Sequence, residues 1–128
     1  MDNETKPKII LLVEDDEMYR EFLKDLLGSE EHLIEEAGNG AEALEKLQKS
    51  SYDLIITDIL MPRMDGLEMM VKMKEMDVDT KIIAISGGAA EVNPDSFLYA
   101  SKILGVSGTL TKPFHGKELI TLIDDVLD

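Results

Sequence analysis

The stretch "YDLIITDILMPRMDG", residues 52–66, combines a strand pattern with a charge that buried strands rarely tolerate. Its apolar run at 54–56 is typical of a buried strand, yet the run reaches Asp58 within two residues. A carboxylate is costly to bury unless a hydrogen bond or an opposite charge compensates it. A lone aspartate there fits a turn cap as well as a site, so its neighbours must decide between the two.

The composition limits the classes of function. With 128 residues, 44% hydrophobic and 31% charged, the chain is long enough for one globular domain. The net charge of -14 opposes binding to nucleic acid or to anionic membranes, because both need lysine and arginine. The chain has no cysteine, no apolar N-terminal signal and no apolar run of membrane-spanning length. We therefore expect a soluble, cytoplasmic protein.

Short apolar runs alternate with helical patterns along the chain. Five runs rich in branched apolar residues predict strands over 8–13, 32–37, 52–57, 81–86 and 107–111. The stripes that predict the first and last helices are Tyr19, Phe22, Leu23, Leu26 and Leu27, and Leu119, Leu122, Ile123, Val126 and Leu127. Gly28 is predicted to end the first helix. Asn93 and Pro94 are predicted to begin the fourth helix, and Gly105 to end it.

This alternation predicts a parallel sheet, because parallel neighbours need a crossover and a helix supplies it. The expected fold is α/β: a doubly wound (βα)5 sheet with helices on both faces, in three α/β/α layers. Strands covered on both faces should be apolar throughout. The run at 32–37 is half charged, so the second strand should lie at an edge of the sheet.

Polar side chains gather at the predicted carboxyl ends of the strands. Glu14 and Asp15 follow the first strand, and Asp58, Ser86 and Lys112 end the third, fourth and fifth. In open parallel sheets, ligands bind outside these ends, so one crevice should hold all five side chains. Three carboxylates there would raise one another's pKa unless a cation joined them. Mg²⁺ fits best, because it prefers a few carboxylates together with water and phosphate oxygens.

Four motifs together resemble a known family. "LLVEDDE" (11–17), "TDILMPRMDG" (57–66), "IAISG" (83–87) and "TKPF" (111–114) are similar to the receiver domain of two-component response regulators, of the stand-alone chemotaxis-receiver type. The resemblance covers nearly the whole chain. It implies the flavodoxin-like strand order 2-1-3-4-5 and a cis peptide bond before the proline of "TKPF".

The resemblance also implies a role for each side chain of the crevice. Asp58 would take a phosphoryl group from a sensor histidine kinase or a phosphotransfer protein. Asp15 and Asp58 would ligate Mg²⁺ directly, Glu14 through water, and Leu60 through its backbone carbonyl. The Lys112 ammonium would neutralise the phosphoryl oxygens. The chain would be a signalling phosphoacceptor with intrinsic Mg²⁺-dependent autophosphorylation and autodephosphorylation, rather than an enzyme.

Phosphorylation should change the shape of the domain. Ser86 would donate a hydrogen bond to the phosphoryl group once the end of the fourth strand moves inward. This would shift the following helix, and with it the face formed by that helix, the fifth strand and the last helix, to control partner binding. Many receivers carry an aromatic switch residue where this chain has Thr109. We hypothesise that the loop 86–97, with Phe97 or Tyr99 behind it, replaces that aromatic residue.

Two other functions stay open from the sequence. A degenerate receiver would act only as a protein-binding scaffold, although the acidic residues are all present. An aspartyl-nucleophile phosphatase of the haloacid dehalogenase kind would need an acid/base aspartate where Leu60 stands. We expect a single receiver domain over 1–128, flexible at 1–7 and without an output domain, that acts on an unknown downstream protein.

Two further interpretations concern single side chains. Asp16 should cap the first helix rather than bind metal. Most of the methionines Met69, Met70, Met73 and Met76 should pack in the core, but Met69, Met73 and Met76 form a stripe apart from Leu67, Met70 and Val71. A partly exposed methionine surface for a partner therefore stays open as an alternative.

Overall fold

The computed structural model describes residues 7–59, 65–86 and 103–128. In these residues the chain forms five strands and four helices, which alternate as the sequence predicts up to the fourth strand, while most of the predicted helix between the fourth and fifth strands lies outside the described residues. The strands are β1 Ile9–Val13, β2 Leu33–Ala37, β3 Leu54–Asp58, β4 Lys81–Ser86 and β5 Gly108–Thr111. The helices are α1 Glu17–Gly28, α2 Gly40–Lys49, α3 Gly66–Glu75 and α4 Gly116–Leu127.

All neighbouring strands are parallel, in the order β2-β1-β3-β4-β5, which confirms the predicted topology. The register aligns the carboxyl ends: Val13 pairs with Ala37 and Thr57, and Asp58 pairs with Ile85. Four strands begin one or two residues later than predicted, and β3 extends to include Asp58. The side chains that follow these ends therefore share one edge of the sheet.

The sheet separates two hydrophobic cores, because side chains alternate between its faces. Leu11 and Val13 of β1 pack on one side with α2 and α3. Ile10 and Leu12 pack on the other side with α1 and α4. The predicted three-layer arrangement is confirmed. Within the described ranges, every helix is too short or too polar to span a membrane.

Burial along the strands separates the centre of the sheet from its β2 edge. Every residue of β3 is buried, whereas β2 alternates between exposed and half-buried residues before Ala37. The charged composition of β2 therefore reflects its place at the edge of the sheet, as predicted.

The ends of two helices test the predicted caps. Asp16 caps α1 by accepting hydrogen bonds from the backbone N–H groups of residues 18 and 19, as expected. Helix α1 ends at Gly28, but the left-handed residue is Glu31, with φ of 66°. Before β5, Gly105 has φ of 75° after two helical residues, which agrees with the predicted stop. The predicted start of that helix, at residues 93 and 94, lies outside the described residues.

The methionines of α3 belong to the core. Met69, Met70 and Met73 are each at most 2% exposed and pack against the face of the sheet that carries Leu11. Core packing is confirmed, and the alternative of an exposed methionine surface is wrong for these three residues. Thioether side chains are flexible enough to fill the space under one helix from two adjacent stripes.

Candidate functional site

Three carboxylates meet at the carboxyl ends of β1 and β3. Glu14, Asp15 and Asp58 each offer an oxygen within 4.8 Å of the others. Glu14 is 2% exposed and Asp58 7% exposed, whereas Asp15 faces solvent. With Lys112, these residues are called the site cluster below. The structure thus brings together the acidic residues that the sequence places at separate strand ends.

Lys112 provides the positive charge of the site cluster. Its Nζ lies 3.3 Å from Asp58 Oδ2 and 3.6 Å from Glu14 Oε1. The same Nζ lies 4.3 Å from the centre of the Tyr19 ring. The Lys112 backbone N–H donates to the carbonyl of Ser86 at 2.8 Å, which joins the end of β4 to the site. The Lys112–Pro113 bond is cis, as the resemblance implies.

Burial and opposite charge shift the pKa values of two groups in the site cluster, Glu14 and Lys112. Burial raises the pKa of Glu14 to about 7, and the neighbouring Asp58 adds to that rise, although the Asp16 N–H opposes it. Mutual repulsion of the carboxylates, the cause predicted from the sequence, is an incomplete explanation because desolvation contributes more to the raised pKa. Burial would lower the pKa of Lys112, but attraction to Asp58 and Glu14 outweighs it and raises that pKa.

The backbone holds Asp58 in place. Its Oδ1 accepts a hydrogen bond from the Ile59 N–H at 2.8 Å. Gly66 donates its N–H to the Ile59 carbonyl at 2.7 Å, and a Cβ at Gly66 would overlap the carbonyl oxygen of Asp58. A glycine is therefore required where α3 meets the end of β3. This role of Gly66 was not predicted from the sequence, although the Asp65-Gly66 pair is typical of a tight turn.

A second charged group supports the loop after β1. Arg20 donates from Nη1 to the carbonyl of Glu14 at 2.6 Å and from Nε to Glu36 at 2.8 Å. Lys24 bridges Glu36 at 2.9 Å and Glu21 at 3.2 Å. Arg20, Lys24, Glu21 and Glu36 are called the surface cluster below. No motif in the sequence indicated it, because Glu36 lies in β2, remote in sequence from its cationic partners in α1.

The remaining predicted residues have different outcomes. Ser86 is 6% exposed at the end of β4, next to Ile85, which pairs with Asp58. Thr109 is half-buried in β5, and it lines a groove of about 540 Å³ between β5 and α4. Leu60, residues 87–97 and Tyr99 lie outside the described residues, as do residues 1–6 of the predicted flexible start.

The doubly wound sheet of this chain carries an acidic cluster and a lysine at the carboxyl ends of its strands. The model of the response regulator receiver domain matches residues 10–124. The chain therefore belongs to the response regulator receiver domain family. It is a receiver domain of two-component signalling, as the four motifs suggested.

Two relatives and one solved structure match this chain over nearly their whole lengths. The response regulator receiver protein CpdR of Brucella abortus is 40% identical over 121 residues, which are 94% of this chain and 97% of that protein. The chemotaxis protein CheY of Halobacterium salinarum is 36% identical over 120 residues, with 94% and 97% covered. The structure of TrrA from Thermotoga maritima, in complex with Mg(2+)-BeF, is 34% identical with a TM-score of 0.80, covering 94% of this chain and 99% of that one.

Proposed function

We propose that Asp58 accepts a phosphoryl group from a phosphohistidine on a sensor histidine kinase or a phosphotransfer protein. One observation carries the proposal: the Asp58 carboxylate lies within 4.8 Å of two other carboxylates and 3.3 Å from an ammonium. Such an arrangement suits a nucleophile whose target is itself anionic. An isolated strand-end aspartate would need none of these partners.

In the proposed step, an Asp58 oxygen attacks phosphorus while the bond from phosphorus to the imidazole nitrogen breaks. The electron pair of that bond leaves with the imidazole, and an acyl phosphate remains on Asp58. The carboxylate needs no prior deprotonation by a base. The Ile59 N–H and the Lys112 ammonium engage its two oxygens, so its orientation is set before a donor arrives.

The donor set of the site cluster fits Mg²⁺, which is hard and prefers oxygen. Glu14, Asp15 and Asp58 would hold it, together with the carbonyl of Leu60, which lies outside the described residues. When bound, Mg²⁺ supplies positive charge toward the phosphoryl oxygens. The fit rests on three carboxylate oxygens within 4.8 Å and on an excess of negative charge over the single lysine.

Lys112 and Ser86 would act on the phosphoryl group itself. The ammonium would neutralise one phosphoryl oxygen, and the Ser86 hydroxyl would donate to another as the end of β4 moves inward. The hydrogen bond from the Lys112 N–H to the Ser86 carbonyl would transmit this movement to β5. Thr109, two residues before the end of β5, would respond as the switch position of this chain.

We further propose that the domain acts in the cytoplasm, and that it signals by binding a downstream protein. The scaffold function is the main competitor, since it would use the same fold without chemistry. The presence of the whole site cluster favours the phosphoacceptor over the scaffold.

The test is incubation with acetyl phosphate and Mg²⁺, followed by intact mass spectrometry. Wild-type protein should gain one phosphoryl group, and Asp58→Asn should gain none. Asp53→Asn is the matched control: Asp53 lies just before the other end of β3, where its side chain accepts from the Ile9 N–H. That variant should be phosphorylated like the wild type.

The same experiment separates the alternatives. Failure of the wild type to gain mass, with its fold intact by circular dichroism, would favour the scaffold. Phosphorylation of Asp58→Asn to the wild-type extent would show that another residue is the acceptor. Chelation of Mg²⁺ with EDTA should stop the reaction if the cation is required.

A further inference from the structure

The aromatic ring of Tyr19 is the third partner of the Lys112 ammonium. Nζ lies 4.3 Å from the ring centre, well within the range of a cation–π interaction. Its distances to the two carboxylates, 3.3 Å and 3.6 Å, are longer than the 2.7–2.9 Å usual for charge-assisted hydrogen bonds. The ammonium is therefore shared between the acidic oxygens and the ring instead of collapsing onto the acids.

The ring itself is held in place from several sides. Tyr19 lies in the first turn of α1, where its N–H donates to the capping Asp16 Oδ1 at 3.2 Å. Its ring meets the edge of Phe114 at 6.5 Å between centroids. Burial raises the pKa of the Tyr19 hydroxyl, so the ring stays neutral when the site is active. A neutral ring attracts the ammonium without adding to the negative charge of the site.

We propose that Tyr19 is a positioning residue for phosphoryl transfer, whose ring face holds the Lys112 ammonium beside Asp58 while leaving it available to a phosphoryl oxygen. The proposal rests on the proposed function of Asp58 and Lys112. Without the ring, the carboxylates of Glu14 and Asp58 would draw the ammonium closer. An incoming phosphoryl group would then have to break a tighter ion pair.

Two substitutions distinguish the contribution of the Tyr19 ring face to the rate from that of its hydroxyl and from that of apolar volume alone. Tyr19→Phe keeps the ring, and it should be phosphorylated by acetyl phosphate at a rate within about 2-fold of wild type. Tyr19→Leu keeps apolar volume but loses the ring, and it should react roughly 3- to 30-fold more slowly. Phe22→Leu is the matched control, because Phe22 contacts Tyr19 without contacting Lys112 in the described interactions. It should react like the wild type.

Two further measurements exclude a merely structural effect. The Mg²⁺ concentration that gives half the maximal rate should rise in Tyr19→Leu but not in Phe22→Leu, because only the loss of the Tyr19 ring lets the ammonium close onto Glu14 and Asp58, the carboxylates that would hold the cation. In NMR spectra, the Lys112 ε-methylene protons should show an upfield ring-current shift in wild type and Tyr19→Phe. That shift should be lost in Tyr19→Leu, even if this variant is too slow to assay.

Several results would overturn the positioning role. These are a wild-type rate in Tyr19→Leu, an equal loss in Tyr19→Phe, an equal loss in Phe22→Leu, or an unshifted Lys112 methylene in wild type. If the wild type takes no phosphoryl group, or Asp58→Asn does, the proposed function itself fails. If phosphorylation depends on Asp58 but not on the Tyr19 ring, only the positioning role fails.

Discussion

The site cluster and the surface cluster lie on either side of the loop after β1, and they handle charge in opposite ways. The site cluster sets three carboxylates against one ammonium, and two of those carboxylates are almost fully buried. The surface cluster sets two carboxylates against two cations on the α1 surface, with Glu36 about one-third exposed. The site cluster therefore carries an excess of negative charge and is largely buried. The surface cluster has equal numbers of positive and negative charges and is partly exposed to solvent.

The pKa values follow this difference. Burial raises the pKa of Glu14 to about 7, whereas hydrogen bonds from Lys24 and Arg20 lower the pKa of Glu36. A folded state that raises the pKa of an acid is destabilised once that acid ionises. The negative charge of the site cluster is therefore unfavourable for stability, and a bound cation can offset it. The carboxylates of the surface cluster are already paired with cations.

The largest expected effect is stabilisation by Mg²⁺, which should act on the site cluster alone. At Mg²⁺ concentrations about 100-fold above its dissociation constant, the free energy of unfolding should rise by about 2.7 kcal/mol. Urea unfolding with and without Mg²⁺ measures this difference. Asp58→Asn should lose much of the gain, while Glu36→Gln should keep it. An equal gain in both variants would mean that the cation binds elsewhere.

The next largest expected effect is the pH dependence of the free energy of unfolding, measured in EDTA so that no Mg²⁺ is bound. Glu14 has a folded pKa of about 7 against an ordinary value of 4.5, so the folded state holds this proton more tightly than the unfolded state. Stability should therefore fall as pH rises from 4.5 to about 7 and then level off. Between about pH 5.5 and 8 the expected loss is about 2 kcal/mol.

Glu14→Gln is the control for this pH dependence, because it cannot ionise. The difference between its unfolding free energy and that of the wild type should widen with pH by the same amount. Titrations shared by both proteins cancel in this difference. If the unfolding free energies of the two proteins changed with pH in parallel, the raised pKa of Glu14 would be contradicted. So would the idea that the site cluster has an uncompensated negative charge.

The sequence predicts much of the fold and of the site, but not how its charges are held. Apolar runs and helix spacing placed all five strands, and parallel topology then placed Glu14, Asp58 and Lys112 at one edge. Strand ends are local signals, so this step needed no coordinates. The contacts of Tyr19 and Arg20 with the site depend on how α1 rotates against the sheet. Only the packed core fixes that rotation, and no periodic pattern reports it.

The smallest expected effect concerns Glu36 of the surface cluster. Because its folded pKa is lowered, Glu36 adds stability at neutral pH, and this contribution is lost as pH falls below its ordinary value of 4.5. The pH dependence due to Glu36 therefore has the opposite sign from that due to Glu14, whose contribution to stability is lost as pH rises. Since exposed ion pairs are weak and screened, Glu36→Gln should cost at most about 1 kcal/mol at neutral pH.

Salt and pH distinguish this contribution from that of the site cluster. The cost of Glu36→Gln in urea unfolding should shrink in about 1 M salt, because exposed charges are screened there. It should stay constant between about pH 5.5 and 8, where Glu36 remains ionised in both states. A cost that grew with pH over that range would mean that Glu36 is coupled to Glu14 through Arg20. The two clusters would then form one electrostatic unit, and their contrast would fail.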